Sequence, residues 1–183
     1  MDMQKIPTLF VRDPANPGRV LPEVTPGCEW VMRGEGRATR KYDGTCVMFD
    51  GAAWWARREV KPGKPAPAGW EPIAEDPNTG KRMGWEPIGQ SSYAKYHAEA
   101  VGSLGAGHWL TGTYELCGPK INGNPENLDD HVVIRHGAEP LTFALRPMSF
   151  LFLGGFLVGV PYEGIVWHHP DGRMAKRKGR DFT

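Results

Sequence analysis

The chain has 183 residues, 40% hydrophobic and 23% charged, which is enough for one folded unit with a real core and argues against wholesale disorder. Its 22 basic and 21 acidic residues leave a net charge of +1, so there is no global signature of a nucleic-acid binder and any such binding must come from local patches. Cys28, Cys46 and Cys117 form no C-x-x-C pair, so neither a zinc site nor a disulfide framework is indicated and a reducing, cytoplasmic setting is expected. The start of the chain lacks an apolar h-region. The longest apolar stretch, Met148 to Val160, is broken by Gly154, Gly155 and Gly159 and is shorter than the roughly 20 residues of a spanning helix, so no membrane partner is expected.

Residues 1–36 are rich in Pro and Gly, with one strand expected at Ile6 to Val11 and an extended chain elsewhere. Two short runs, Cys46 to Phe49 and Ala53 to Ala56, flank Asp50-Gly51, a hairpin signal that leaves Lys41 just ahead of a hairpin. Residues 61–90 hold six prolines and five glycines around a repeated Trp-Glu-Pro-Ile at Trp70 and Trp85, and read as a long loop inserted in the single 1–183 domain. Ser91 or Ser92 is placed to cap a helix in which Tyr93, Tyr96, Ala100, Val101 and Leu104 recur at helical spacing, ended by Gly105 to Gly107. Trp109 to Cys117 reads as a strand, the following GPKINGNPENLDD as a loop, and His131 to Arg135 as another strand. Residues 142–158 are ambiguous between a buried helix and irregular structure, because Pro147 and the glycines oppose a long helix. Gly164 to His168, a Pro170-Asp171-Gly172 turn and Met174 to Lys178 complete a final hairpin. The fold class is α+β with mainly antiparallel sheets.

Four segments place charge on or beside a strand: Lys41-Tyr42-Asp43-Gly44, Trp55-Ala56-Arg57, Tyr114-Glu115-Leu116, and Glu163-Gly-Ile-Val with Lys176-Arg-Lys178. Attack on the α-phosphorus of a nucleoside triphosphate needs a nucleophile that forms a cleavable bond to phosphorus, and an unprotonated lysine amine forms a phosphoramidate. Free lysine titrates near ~10.4, so burial or neighbouring cations must assist. Lys176 and Lys178, on a strand returning beside Lys41, supply that repulsion and stabilise phosphate oxygens. Glu115 and Glu163 offer hard oxygen ligands for Mg²⁺ or Mn²⁺, and Arg57 a contact to ribose or phosphate.

These segments, in this order, resemble the motifs of the covalent nucleotidyltransferase superfamily of DNA ligases, RNA ligases and capping guanylyltransferases. The stretches KIPTLFV, KYDGTC, WWARREVKPGK, YELCGPKINGNP and EGIVWHHPDGRMAK are similar to the small ATP-dependent 5'-3' RNA ligases over nearly the whole chain. The resemblance implies two mainly antiparallel sheets flanked by helices with an ATP pocket between them. It implies Lys41 as the residue that takes AMP from ATP, with Asp43, Gly44, Arg57, Glu115, Phe143, Glu163, Lys176 and Lys178 at the nucleotide, Glu115 and Glu163 at the metal, and Phe143 as the aromatic against adenine. The substrates it implies are ATP and RNA with 5'-phosphate and 3'-hydroxyl ends. Where many RNA ligases carry Glu before the nucleophile, this chain has Arg40.

Taken singly, these features have plainer readings. A lysine before Asp-Gly is ordinarily a solvated turn, and a basic run such as Arg173, Lys176, Arg177, Lys178 and Arg180 is ordinarily a solvated face or an RNA-backbone patch. Strand alternation divides the run, with 176 and 178 facing the nucleotide and the odd positions facing RNA. Alternation also admits only one of Arg57 and Arg58 to a pocket, and the resemblance selects Arg57. The histidines, including His131 and His136, are read as structural or RNA-contacting. Two other functions fit the same pattern: a GTP-using, capping-type nucleotidyltransferase, and a non-catalytic nucleotide- or RNA-binding module that keeps the fold.

Overall fold

Short apolar runs separated by turn residues build strands rather than long helices, and the computed structural model, described over residues 6–77, 79–102, 109–142 and 149–182, contains eleven strands and three α-helices. In chain order these are β1 (Phe10–Arg12), β2 (Val20–Val24), α1 (Glu29–Met32), β3 (Arg37–Lys41), β4 (Thr45–Phe49), β5 (Trp54–Val60), β6 (Glu71–Glu75) and β7 (Arg82–Pro87). They continue with α2 (Ala94–Gly102), β8 (Gly112–Cys117), β9 (Val132–Arg135), α3 (Phe150–Gly159), β10 (Gly164–His168) and β11 (Met174–Lys178). The named strands pair antiparallel in a two-stranded sheet β1-β2, a three-stranded sheet β11-β10-β3 and a six-stranded sheet β6-β7-β5-β4-β8-β9. The fold is α+β, with a third, small sheet beyond the two expected.

The chain divides into two compact units, a finer description than the single folded unit of the sequence reading. Ile6–Tyr42 and Gly137–Thr183 form a terminal unit, and Asp43–His136 belong to a mid-chain unit. The boundary falls inside the Lys41-Tyr42-Asp43-Gly44 motif.

In the mid-chain unit, Asp50 explains the β4–β5 hairpin. Its Oδ1 accepts from the backbone N–H of Ala52 and Ala53 at 2.7 Å each, its Oδ2 accepts from the Trp55 indole at 2.7 Å, and Gly51 takes φ 105°. Val47, Ala100, Tyr114, Leu116, Ile121 and Val133 make the buried core of this unit, with Trp54 and the tyrosines of the α2 region against it. Each buried Val, Leu or Ile side chain among them contributes about 1.5–3 kcal/mol.

Residues 61–90, expected as a loop, instead contain the β6–β7 hairpin. The prolines mislead because of where they fall. Pro72 lies on β6, the edge strand, beside a bulge between residues 72 and 74, and Pro87 ends β7, so the sheet hydrogen bonds that proline cannot make are little needed there. Gly84 is required by the repeat, since a Cβ at that position would come within 2.3 Å of the Trp70 ring.

The core of the terminal unit gathers Leu9, Phe10, Trp30, Val31, Leu153, Leu157, Ile165 and Trp167. The N-terminal stretch expected to be extended supplies β1, β2 and α1 to it. The ambiguous 142–158 segment yields α3 in its later part, begun by Ser149, whose side chain accepts from the Phe152 N–H at 3.1 Å. Its glycines permit contact rather than breaking the helix, for a Cβ on Gly154 would stand 3.0 Å from the Phe182 ring. Leu151 and Val158 on this helix remain exposed. Among the described residues, no helix is long and apolar enough to cross a membrane.

Candidate functional site

In the terminal unit, Gly164 on β10 lies opposite Lys41 on β3 and opposite Lys178 on β11. Residues directly opposite in antiparallel strands project from the same face, so the two lysines rise on either side of a position with no side chain. That position must be glycine: a Cβ there would sit 1.9 Å from the Arg177 carbonyl oxygen. Glu163, the preceding residue, joins the two lysines. Its Oε2 accepts from Lys41 Nζ and its Oε1 from Lys178 Nζ. Both lysine side chains are 19% exposed and the carboxylate 6%, so the cluster is shielded but reachable. Lys41 Nζ also donates to the Tyr42 carbonyl at 3.2 Å. Lys176, opposite Val166 and two residues before Lys178, shares the same face.

Burial pushes the Glu163 carboxyl up, but the charges of Lys41 and Lys178 and the hydrogen bonds they donate outweigh it, leaving the carboxyl below its ordinary value of 4.5. A carboxyl lowered by folding contributes stability above the unfolded value and loses it as pH falls through the folded one. We therefore expect the wild-type melting temperature to fall on acidification from about pH 5 towards pH 3 more steeply than that of Glu163→Gln. Parallel melting curves for the two proteins over that range would remove this role from Glu163.

Alternation turns Arg40 and Arg177 to the other face of the sheet, each opposite Ile165. Arg177 does not face RNA, as the alternation argument expected of odd positions. It is fully buried, with its guanidinium 3.7 Å from the Phe182 ring centroid and 5.6 Å from that of Phe10, and its Nη1 donates to Asp181 at 3.2 Å. Burial lowers its pKa to about 10, partly opposed by Asp181, so it stays charged at neutral pH. Arg173 lies at the surface, paired with Asp171 at 2.8 Å. Arg40 lies over the rings of Tyr42 and Tyr162, at 4.5 and 4.6 Å from their centroids, and 3.7 Å from Glu139, which also accepts from the Tyr42 hydroxyl. Stacking and ion pairing hold this guanidinium in place.

The other site residues belong to the mid-chain unit. The Gly44 N–H donates to Glu115 Oε1 at 3.0 Å, the Asp43 N–H to Glu126 at 2.8 Å, and Asn122 Nδ2 to the Gly44 carbonyl at 2.7 Å. Gly44 tolerates no side chain, since a Cβ would meet the Leu116 carbonyl at 2.3 Å. His136, read from sequence as structural or RNA-contacting, sits with Nε2 2.8 Å from Glu115 Oε2 and Nδ1 2.9 Å from Thr113. It follows β9 with no periodic link to Glu115, so spacing alone could not have paired them. Val47 faces Ala56 across β4–β5 and Cys46 faces Glu115 across β4–β8, so Arg57 shares the Glu115 face of the sheet and Arg58 the opposite one. Phe143 lies outside the described residues.

Among the described residues, no group of three or more His, Cys, Asp or Glu side chains is placed to hold a metal. Each oxygen of Glu163 has a lysine partner, and each oxygen of Glu115 has a hydrogen bond. This donor set does not suit a resident ion.

No protein-family model matches the chain, and no characterised protein matches it.

Proposed function

We propose that this protein is an ATP-dependent RNA ligase that works through a lysyl-AMP intermediate on Lys41. The observation that carries the reading is the Lys41–Glu163–Lys178 cluster across the Gly164 row, in which one carboxylate holds two ammonium groups on one face. The ordered motifs, with their likeness to small RNA ligases, support it.

In the first step the Lys41 ammonium gives up a proton, its amine attacks the α-phosphorus of ATP, a P–N bond forms and pyrophosphate leaves with the P–O bond broken. Lys178 and Lys176 meet the charge that builds on the phosphate oxygens. A Mg²⁺ or Mn²⁺ carried by the triphosphate would keep waters and phosphate oxygens and need one or two carboxylates, the role assigned to Glu163 and Glu115. Arg57, Asp43 and Gly44 are assigned to the nucleotide. In the second step an RNA 5'-phosphate oxygen attacks the same phosphorus, the P–N bond breaks, and the Lys41 amine recovers its proton. In the third, a 3'-hydroxyl gives its proton to solvent and attacks the RNA 5'-phosphate, the P–O bond to AMP breaks, AMP leaves and a phosphodiester remains.

The test is incubation with ATP and Mg²⁺ or Mn²⁺, read by intact mass. We expect an AMP adduct that is absent from Lys41→Ala, and sealing of 5'-phosphate, 3'-hydroxyl RNA in preference to the same DNA. An adduct formed from GTP rather than ATP would redirect the assignment to a capping-type transferase. Nucleotide binding without an adduct would leave only a binding module.

A further inference from the structure

Positive charge is concentrated in the terminal unit. Its sequence has 12 Lys and Arg residues against 8 Asp and Glu, a net of +4, whereas Asp43–His136 has 9 against 12, a net of −3. The near-neutral total hides a basic unit, and that unit carries Lys41, Lys176 and Lys178.

Within it lies a cavity of about 370 Å³ lined by Arg12, Asn16, Gly18, Arg19, Arg180 and Asp181. Arg12 ends β1, Asn16, Gly18 and Arg19 lie on the turn that follows, and Arg180 and Asp181 are in the 3₁₀ turn Gly179–Phe182 after β11. The wall is constructed rather than accidental. Arg12 Nη1 donates to the Pro17 carbonyl at 2.8 Å, and its Nη2 stands 3.5 Å from Asp181 Oδ1. The Asp13 N–H donates to the Arg19 carbonyl at 3.1 Å, closing the turn. Asp181, the one carboxylate in the lining among the described residues, is buried and pairs with the buried Arg177. Three arginines therefore line the cavity, and Asp181 is shared between Arg12 and the buried Arg177.

We propose that this cavity binds a backbone phosphate of the RNA; this rests on the RNA-ligase reading. The guanidinium fork matches phosphate oxygens in pairs. Among the described residues the lining has no aromatic or aliphatic platform for a base, so contact is with the phosphate and is independent of base sequence. Arg180 follows Lys178 by two residues, in the 3₁₀ turn that leaves β11. The N–H of Gly179, between them, donates to the Glu163 carbonyl at 2.9 Å, tying the turn to the lysine-binding glutamate.

The test uses the full chain, a labelled 5'-phosphorylated single-stranded RNA, and the exposed pair Arg19→Ala/Arg180→Ala. RNA affinity should fall about tenfold at low salt, and the slope of log affinity against log salt should shrink by about 0.7, the value for one phosphate contact on a single strand. The rate of AMP transfer to Lys41 should stay within about twofold of wild type, because these arginines have no part in that step. Unchanged affinity and slope overturn the proposal. So does a parallel loss of AMP transfer, which would give the cavity to the nucleotide or to the fold. If the wild-type protein forms no lysyl-AMP, the ligase reading fails, and the RNA affinities still decide whether the cavity holds a backbone phosphate.

Discussion

Lys41→Arg should abolish nucleotide transfer to the protein, lowering it by about 10⁴-fold or more, while leaving the fold nearly as stable as wild type. The two outcomes separate because this substitution divides the jobs of the side chain. A guanidinium keeps a positive charge for the Glu163 carboxylate, which in the native protein accepts from both Lys41 and Lys178. It cannot give up a proton to become a nucleophile under ordinary conditions. Lys41→Ala removes both functions together and leaves Glu163 with one partner, so it is the harsher but less informative variant. Intact-mass measurement after incubation with ATP and Mg²⁺ reads the adduct, and a thermal melt reads the fold. An adduct persisting in Lys41→Arg would sink the assignment of the nucleophile and move it to Lys178 or Lys176, which share its face of the sheet.

Asp181→Ala should be the most damaging single change away from that cluster. Arg177 is fully buried and stays charged at neutral pH, and Asp181 is its ion-pair partner at 3.2 Å. Breaking a buried pair from one side leaves an uncompensated charge and costs about 3–5 kcal/mol. For a chain of this length that corresponds to roughly 6–20 °C in melting temperature. Arg177→Met, which replaces the charge with an apolar chain of similar reach between Phe10 and Phe182, should cost clearly less, because it removes the ion rather than stranding it. Melting both variants beside wild type checks the order. If Arg177→Met proves the more destabilising, the guanidinium stabilises the fold through its ring contacts and the desolvation argument is wrong.

Much of the secondary structure was legible because its causes are local. Asp50 closes its own turn through hydrogen bonds to Ala52 and Ala53, and the β10 and β11 runs flank Pro170-Asp171-Gly172. Glycines and prolines were the least legible residues. The same Pro72 that argues for a loop is harmless on an edge strand, and the same Gly154 that argues against a helix admits the Phe182 ring. Edge position and ring contact are properties of neighbours distant in the chain.

The site divides in the same way. The sequence by itself determined which amines, carboxylates and guanidinium groups the chain carries and in what order, since their reactivity belongs to the side chain. It also determined that residues 176 and 178 share a face, since period two belongs to any strand. Only the tertiary structure decided that Gly164 stands between Lys41 and Lys178, that Glu163 holds both, that Arg177 is in the core, and that Arg12 and Arg19 from the Pro-rich start share a cavity with Arg180. The physical reason is register: which strand lies beside which, and in what alignment, is set by burying Ile165, Trp167 and Ala175 together with residues more than a hundred positions away.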